Sequence, residues 1–436
     1  MAVLWLIIYP LVAGLAILQA VLIAVQTWEH RRYARRRLSE IHLSRPSGRA
    51  LLVIPCRGSD TGLEDNLCPL LEQDYGDYEV RFVVESVDDP ACQQIQRVMA
   101  EHPQVPSQLV VAGQADACGQ KVHNLLAATA DLSPEIEYLA FVDSDARPQR
   151  HWLRSLVSHL ELPHVAATTG YRWFVPVRRS LVNHLLYGIN CNSAILMAAR
   201  VHHLVWGGSW AIRRETFEAI GLRAAWEGTL SDDLVASRLL EGTRRRVVFE
   251  PACMVASPLN MSLRTMFGFV RRQYTIARCY VFAWWAFALA AVTFANLALL
   301  GCLAALLHGL ATGTPPVWVA AAVCAAIYGV NVYRGLLRRD LAILYFPHRF
   351  VSVGKASRFD TWGAPLVGMV NWLALIASTV GRRVTWRGIT YRLLRGGKVG
   401  LLSRRDEPPS ENEDPLEESL KSLPLNRPMI RFRKAS

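Results

Sequence analysis

Two carboxylates one residue apart, Asp143 and Asp145, close the apolar run Tyr138-Leu-Ala-Phe-Val in a chain of 436 residues. A buried parallel strand reads as a continuous apolar run, and ligands of α/β sheets gather at the carboxyl ends of strands. Two carboxylates at such a strand end can hold a hard divalent cation, which in turn neutralises phosphate oxygens. Without a cation, like charges so close repel each other. Asp-x-Asp alone arises by composition about once in a chain this long, so its neighbours decide its meaning.

Two further acidic pairs fall at loop positions. Asp88-Asp89 precedes Pro90 and reads either as turn residues or as part of a ligand site. Asp232-Asp233 precedes Leu234-Val-Ala-Ser-Arg-Leu-Leu, at a helix start, where Asp232 could be only an N-cap. Gly207-Gly208-Ser209-Trp210 is either an ordinary turn or a place where backbone approaches a ligand closely. Arg271-Arg272-Gln273-Tyr274, followed by Arg278, is either a positive flank of a membrane segment or a set of guanidinium groups facing a diphosphate.

The elements that must position these groups alternate between strand and helix patterns over residues 48–280. Arg49–Pro55 and Tyr78–Glu85 read as the first two strands, and Gln108–Ala112 as the third; the run ending at Asp143 is the fourth. Helical spacing separates them at Leu63–Gln73, through Ile95 and Val98, at Lys121–Ala130, and after Trp152. This order predicts right-handed βαβ units and a mostly parallel sheet. No glycine fingerprint for a dinucleotide or P-loop follows any strand. Beyond residue 160, Val182–Ala199 reads equally as a core helix and as one lying on a bilayer surface.

Residues 1–28 contain no charged side chain and exceed the roughly 20 residues that span a bilayer. The basic cluster follows this run instead of preceding it, which predicts a retained anchor with residue 30 onward in the cytoplasm. Residues 29–47 then form a basic linker. From 281 to 381 the expected spans lie near 281–310, 317–333 and 361–381, with an interfacial helix over Arg334–Phe350. Four crossings would put the C-terminus outside, against the charge of Arg382, Arg383, Arg387, Arg392, Arg395 and Lys398. Either the 361–381 segment is re-entrant or the charge rule fails there. Residues 382–436 read as a basic, then disordered, tail. The net charge of +12 clusters beside apolar spans, which suits anionic lipid; no nucleic-acid-binding signature accompanies it. Nine scattered cysteines without a Cys-x-x-Cys pair read as free cytosolic thiols.

Taken in order, Glu72-Gln-Asp-Tyr, Val87-Asp-Asp-Pro-Ala, Lys121-Val-His-Asn-Leu, Asp143-Ser-Asp, Gly207-Gly-Ser-Trp-Ala-Ile-Arg-Arg-Glu-Thr, Ser231-Asp-Asp-Leu and Arg271-Arg-Gln-Tyr resemble a membrane-bound family 2 glycosyltransferase of the ceramide glucosyltransferase-like branch. The resemblance covers residues 50 to about 280 and the flanking membrane segments. It implies an α/β GT-A fold, Rossmann-like and nucleotide-sugar-binding, between N- and C-terminal transmembrane helices. It also implies a sugar-nucleotide donor (a UDP-sugar is expected), Mg²⁺ or Mn²⁺, and a lipid acceptor. Carried over by position, Asp233 is the general base and Asp89 contacts the nucleoside, while Asp143 and Asp145 hold metal and diphosphate. Pro55, Lys121, Arg271, Arg272 and Gln273 join the donor side; Gly208, Trp210 and Asp232 are expected on the acceptor side. The family's (Gln/Arg)-x-x-Arg-Trp motif is only partly met by Arg271-Arg-Gln-Tyr-Thr, which leaves open which arginine faces the diphosphate. A processive polysaccharide synthase would need the complete motif and more spans. Transfer to a polyprenyl phosphate and a non-catalytic membrane adaptor are the other readings.

Overall fold

The computed structural model of the protein describes residues 2–41, 45–58, 62–198, 204–313, 317–347 and 350–404. After a long helix α1 (Ala2–Glu40), the apolar runs form β1 (Arg49–Pro55), β2 (Tyr78–Val84), β3 (Ser107–Val111) and β4 (Ile136–Val142). Helices α2 (Leu63–Leu71), α3 (Ala91–Glu101) and α4 (Gln120–Ala128) cross between them. The chain continues through α5 (Trp152–Ser158), β5 (Val165–Pro176), α6 (Leu181–Ala194), β6 (Ser209–Arg213), α7 (Arg214–Ala219), α8 (Leu222–Trp226), α9 (Asp232–Glu241), β7 (Arg246–Leu259) and α10 (Leu263–Tyr280).

The seven strands form one sheet in the order β3-β2-β1-β4-β6-β5-β7. β1 to β4 pair in parallel, whereas β6 runs antiparallel to both β4 and β5. Successive residues of a strand face opposite sides. Leu52 and Ile54 of β1 therefore pack with α2, α3 and Trp152 of α5, while Leu51 and Val53 pack with α4, Trp226 and Trp210. The reversed β6 sets its first residue beside the last of β4, Ser209 opposite Val142. That register carries Gly207 and Gly208 up against Asp143.

A third core joins the long strands β5 and β7 to the membrane-side helices, around Trp173, Phe174, Tyr187 and Leu341. α6 belongs to this core, so Val182–Ala199 resolves as a buried helix over its described part, with Ser180 capping its start. Its last residues lie outside the described ones.

Three described helices are long and apolar enough to cross a membrane: α1, counted from Tyr9 to Glu40, α11 (Phe282–Thr312) and α12 (Val317–Tyr345). The basic stretch after residue 28 is not a linker; helix α1 continues through it to Glu40. Arg37 explains part of this, because its guanidinium pairs at 2.9 Å with Glu250 of β7, which is buried and also meets His159 at 2.7 Å. Up to Tyr345, the expected interfacial helix over 334–350 is likewise the end of α12. Arg338 there forms a buried two-pronged pair, 2.7 and 3.1 Å, with Asp360 of α13 (Phe350–Trp362).

The expected span at 361–381 is replaced by the end of α13 and the 14-residue α14 (Ala364–Ala377). At 1.5 Å per residue α14 reaches about 21 Å, short of the roughly 30 Å hydrocarbon layer. Among the described residues the candidate crossings thus number three, a count with which the charge of the C-terminal arginines no longer conflicts. Residues 382–404 are not a tail either. They form a three-stranded antiparallel sheet, β8 (Arg383–Trp386), β9 (Ile389–Leu393) and β10 (Val399–Arg404), which packs on the α/β domain through Val384, Ile389, Tyr391 and Leu393. The remainder of the expected tail lies outside the described residues.

Candidate active site

The carboxyl ends of β1, β2 and β4 meet the start of α9 in one cleft. At its centre the cation demanded by Asp143 is supplied by the protein itself. Lys121 of α4 places its ammonium 2.8 Å from Asp143 and 3.3 Å from Asp232, and donates to the Gly207 carbonyl at 3.0 Å. Burial opposes the Lys121 charge, but Asp143, Asp232 and Asp233 outweigh it and hold its pKa well above the usual lysine range. Burial likewise opposes the Asp143 charge, and Lys121 and Arg172 overcome it, so this carboxyl sits below its ordinary value. Asp232 goes the other way: burial pushes it up to about 7, against Lys121, with Asp233 and Asp143 adding to the rise. Asp232 Oδ2 is buried and accepts no hydrogen bond from the described residues.

Asp233, next in sequence, points differently. Its Oδ1 accepts from Ser231 Oγ at 2.6 Å and from the Leu234 amide at 2.8 Å; its Oδ2 accepts from the Gly207 amide at 2.9 Å. The N-cap of α9 is Ser231, whose Oγ accepts from the Leu234 amide, so the cap reading of Asp232 is superseded. The glycines explain the close approach. A Cβ on Gly208 would lie 2.3 Å from the Trp206 ring and 2.6 Å from Asp143 Oδ2; one on Gly207 would lie 2.8 Å from Asp232.

The remaining expected residues divide. Asp89 is in the cleft wall, its Oδ1 accepting from the Gly58 and Ala91 amides at 2.9 Å each, which fixes the β1 loop against α3. Pro55 ends β1 beside it. Arg271 donates to the Ala377 and Val380 carbonyls, so it caps the end of α14. Arg272 donates to the Thr385 carbonyl, and burial beside Arg172 lowers its pKa to about 10. Gln273 is exposed. Asp145 is half-buried two residues beyond Asp143. Trp210 corrects its expected place: it is fully buried and stacked on Phe141 at 4.7 Å between ring centres, a core residue and not an acceptor contact.

Three residues of the cleft escaped the sequence reading. Arg172 of β5 lies 3.5 Å from Asp143 and 4.8 Å over the ring of Trp206, which also meets Tyr171 edge-on. Arg387 comes from the new hairpin β8–β9. Its guanidinium donates to the Arg57 carbonyl, and its charge helps to hold the Asp143 carboxyl down. Arg387 and Gly388 form the two-residue turn between Trp386 and Ile389, both with positive φ, 45° and 74°. Asn-Gly or Asp-Gly is the usual choice for such a turn. A long side chain at the first position tolerates backbone strain of the kind that collects at functional sites. A basic residue before glycine in an alternating apolar pattern was the available signal.

A cleft at the carboxyl ends of a mostly parallel sheet, with paired carboxylates, a fixed aspartate at a helix start and arginines around them, defines a GT-A glycosyltransferase. The chain belongs to glycosyl transferase family 21, whose sequence profile matches residues 11–399. Among solved structures it is similar to the mannosyltransferase PcManGT from Pyrobaculum calidifontis in complex with GDP-Man and Mn²⁺. That match has 19% identity, 83% of this chain, 99% of the other and a TM-score of 0.46. Glucosyl-3-phosphoglycerate synthase from Mycobacterium tuberculosis is similar at 16% identity, over 55% of this chain and 84% of its own, with a TM-score of 0.34.

Proposed function

We propose that this glycosyltransferase moves a sugar from a nucleotide-sugar donor, a UDP-sugar in the first instance, to a hydroxyl of a lipid acceptor, with inversion, at the cytoplasmic face of a membrane. One observation carries the lipid reading. α10 leads after a single residue, Val281, into α11, a helix long and apolar enough to cross a membrane. At that junction the Tyr280 hydroxyl accepts from the Leu230 amide at 2.8 Å, three residues before Asp233. The base-bearing helix is thereby tied to the point where the chain meets the bilayer.

In this reading Asp233, held by three donors, takes the proton of the acceptor hydroxyl, whose oxygen attacks the anomeric carbon opposite the leaving diphosphate. Asp143 and Asp145, two residues apart just beyond the end of β4 and neither fully buried, would hold Mg²⁺ or Mn²⁺, carboxylate oxygens being the ligands a hard cation takes. Such an ion supplies neutralisation of charge on the departing diphosphate. Arg172 and Arg387 fill the place left open by the incomplete arginine motif, and Asp89 and Pro55 line the nucleoside end. Replacing Arg387 by asparagine should suit the turn, leaving the melting temperature equal or higher, yet weaken UDP binding about tenfold by calorimetry. Unchanged affinity removes Arg387 from the site.

The function is tested by incubating membranes that contain the protein with a panel of labelled sugar nucleotides, then extracting lipid for mass spectrometry. Label should enter the lipid fraction with one donor. Label found only in water-soluble products or polymer rejects lipid glycosylation.

A further inference from the structure

Away from the cleft, a cavity of about 1110 Å³ opens where α10 and α11 meet the C-terminal sheet. Six arginines line it, Arg271, Arg278, Arg382, Arg383, Arg392 and Arg395, and none of the described lining residues is acidic. Two of them have structural work. Arg271 and Arg278 donate to carbonyls at and beyond the end of α14, at Ala377, Thr379, Val380 and Gly381. These contacts build one wall. The other four are exposed.

The placement of those four is costly in the protein alone. Arg383 and Arg392 sit directly opposite each other in the β8–β9 register. Like charges at facing positions of an antiparallel pair destabilise it. Arg382 adjoins Arg383, and its carbonyl accepts from the Leu393 amide, which keeps it beside Arg392. An anion in the cavity would relieve this repulsion. Guanidinium groups match phosphate oxygens in geometry as well as charge.

The apolar rim says where the anion comes from. Phe282, the first residue of α11, and Val380, just past α14, line the same cavity and are 63% and 67% exposed. Exposed apolar side chains at the end of a membrane-crossing helix meet acyl chains, while basic pockets beside such helices take anionic headgroups. We infer that this cavity binds the phosphate-bearing headgroup of an anionic phospholipid, with the four exposed arginines as its ligands. The site rests on the membrane reading of α11 and is independent of the donor and acceptor. It seats α10, and with it the cleft, against the anionic leaflet.

The test uses the full chain in nanodiscs of phosphatidylcholine with and without phosphatidylglycerol. Native mass spectrometry after release into detergent reads the lipids retained. The wild-type protein should keep phosphatidylglycerol over phosphatidylcholine. The variant Arg382→Gln/Arg383→Gln/Arg392→Gln/Arg395→Gln should lose that preference, on the order of a thousandfold for four charges. UDP binding by the variant reports that it is folded. Should it fail to bind UDP, the double variant Arg382→Gln/Arg395→Gln takes its place, with a loss of about thirtyfold. Equal retention by wild type and a folded variant overturns the inference. Inorganic phosphate binding to lipid-free protein, undiminished by phosphatidylglycerol, also overturns it by assigning the cavity to a soluble anion.

Discussion

Asp233→Asn should lower the rate of sugar transfer by about 10²–10⁴-fold, the share typical of a positioned general base. Asparagine keeps an oxygen for the Ser231 and Leu234 donors, so the start of α9 stays formed and UDP binding stays at the wild-type value. The neighbouring carboxylate makes the comparison informative. Asp232 is buried with its pKa pushed up to about 7, and its carboxylate is engaged by the Lys121 ammonium at 3.3 Å. Asp232→Asn should therefore cost less in turnover than Asp233→Asn. A wild-type rate in Asp233→Asn, or the opposite ranking, moves the base from Asp233. Single-turnover transfer from the donor identified by the nucleotide panel measures both.

Lys121→Met is the second change with a large expected effect. It removes the ammonium that compensates Asp143 and Asp232 and leaves two buried carboxylates facing each other. Breaking a buried pair by deleting one partner costs about 3–5 kcal/mol. The sign with pH is fixed by the same geometry. In wild type the folded-state pKa of Asp232 already lies above its unfolded value, so this group's contribution to stability falls as pH rises from about 4 through about 7. Without Lys121 its carboxyl rises further, and the variant's melting temperature should drop more steeply over that range. Mn²⁺ should raise the melting temperature of the variant more than that of wild type, because the seat between the carboxylates is then open to a divalent ion. Equal melting curves for the two proteins would falsify the role given to Lys121.

The parallel half of the sheet was legible because β1 and β4 carry unbroken apolar runs, β2 alternates through Glu79 and Arg81 into Phe82-Val83-Val84, and α2 to α5 carry helical spacing. β6 was not, since Gly207-Gly208-Ser209-Trp210 has the composition of a turn and its pairing partners lie far away in sequence. That strand also misplaced Trp210, which follows the turn-like Gly207-Gly208-Ser209 in the chain while its neighbours in space are Phe141 and the core. The hairpin β8–β9 hid behind its arginines. Val384, Ile389, Tyr391 and Leu393 are the buried alternate positions, but the charge between them reads as a solvated tail. Likewise α14 has the hydropathy of a span and lacks only the length. Of the site, Asp143, Asp232 and Asp233 were found from spacing and order, and the structure brings Asp143 and Asp232 together on Lys121. Arg172 and Arg387 arrive from distant segments that composition does not connect.

The three-stranded sheet has one more consequence. Arg404 holds Glu85 and the Ala115 carbonyl, Tyr391 accepts from the Gln120 amide, and Val399 donates to Gly228. These contacts join the last described strands to loops at the start of the α/β domain, across a sequence that includes two membrane helices. In the membrane reading, the proposed site therefore stays without these contacts during synthesis until α11 and α12 have been made and about 150 further residues have followed Asp233. Their completion makes correct membrane insertion a precondition for a working site, so a chain misinserted at the hairpin would be inert instead of active in the wrong place.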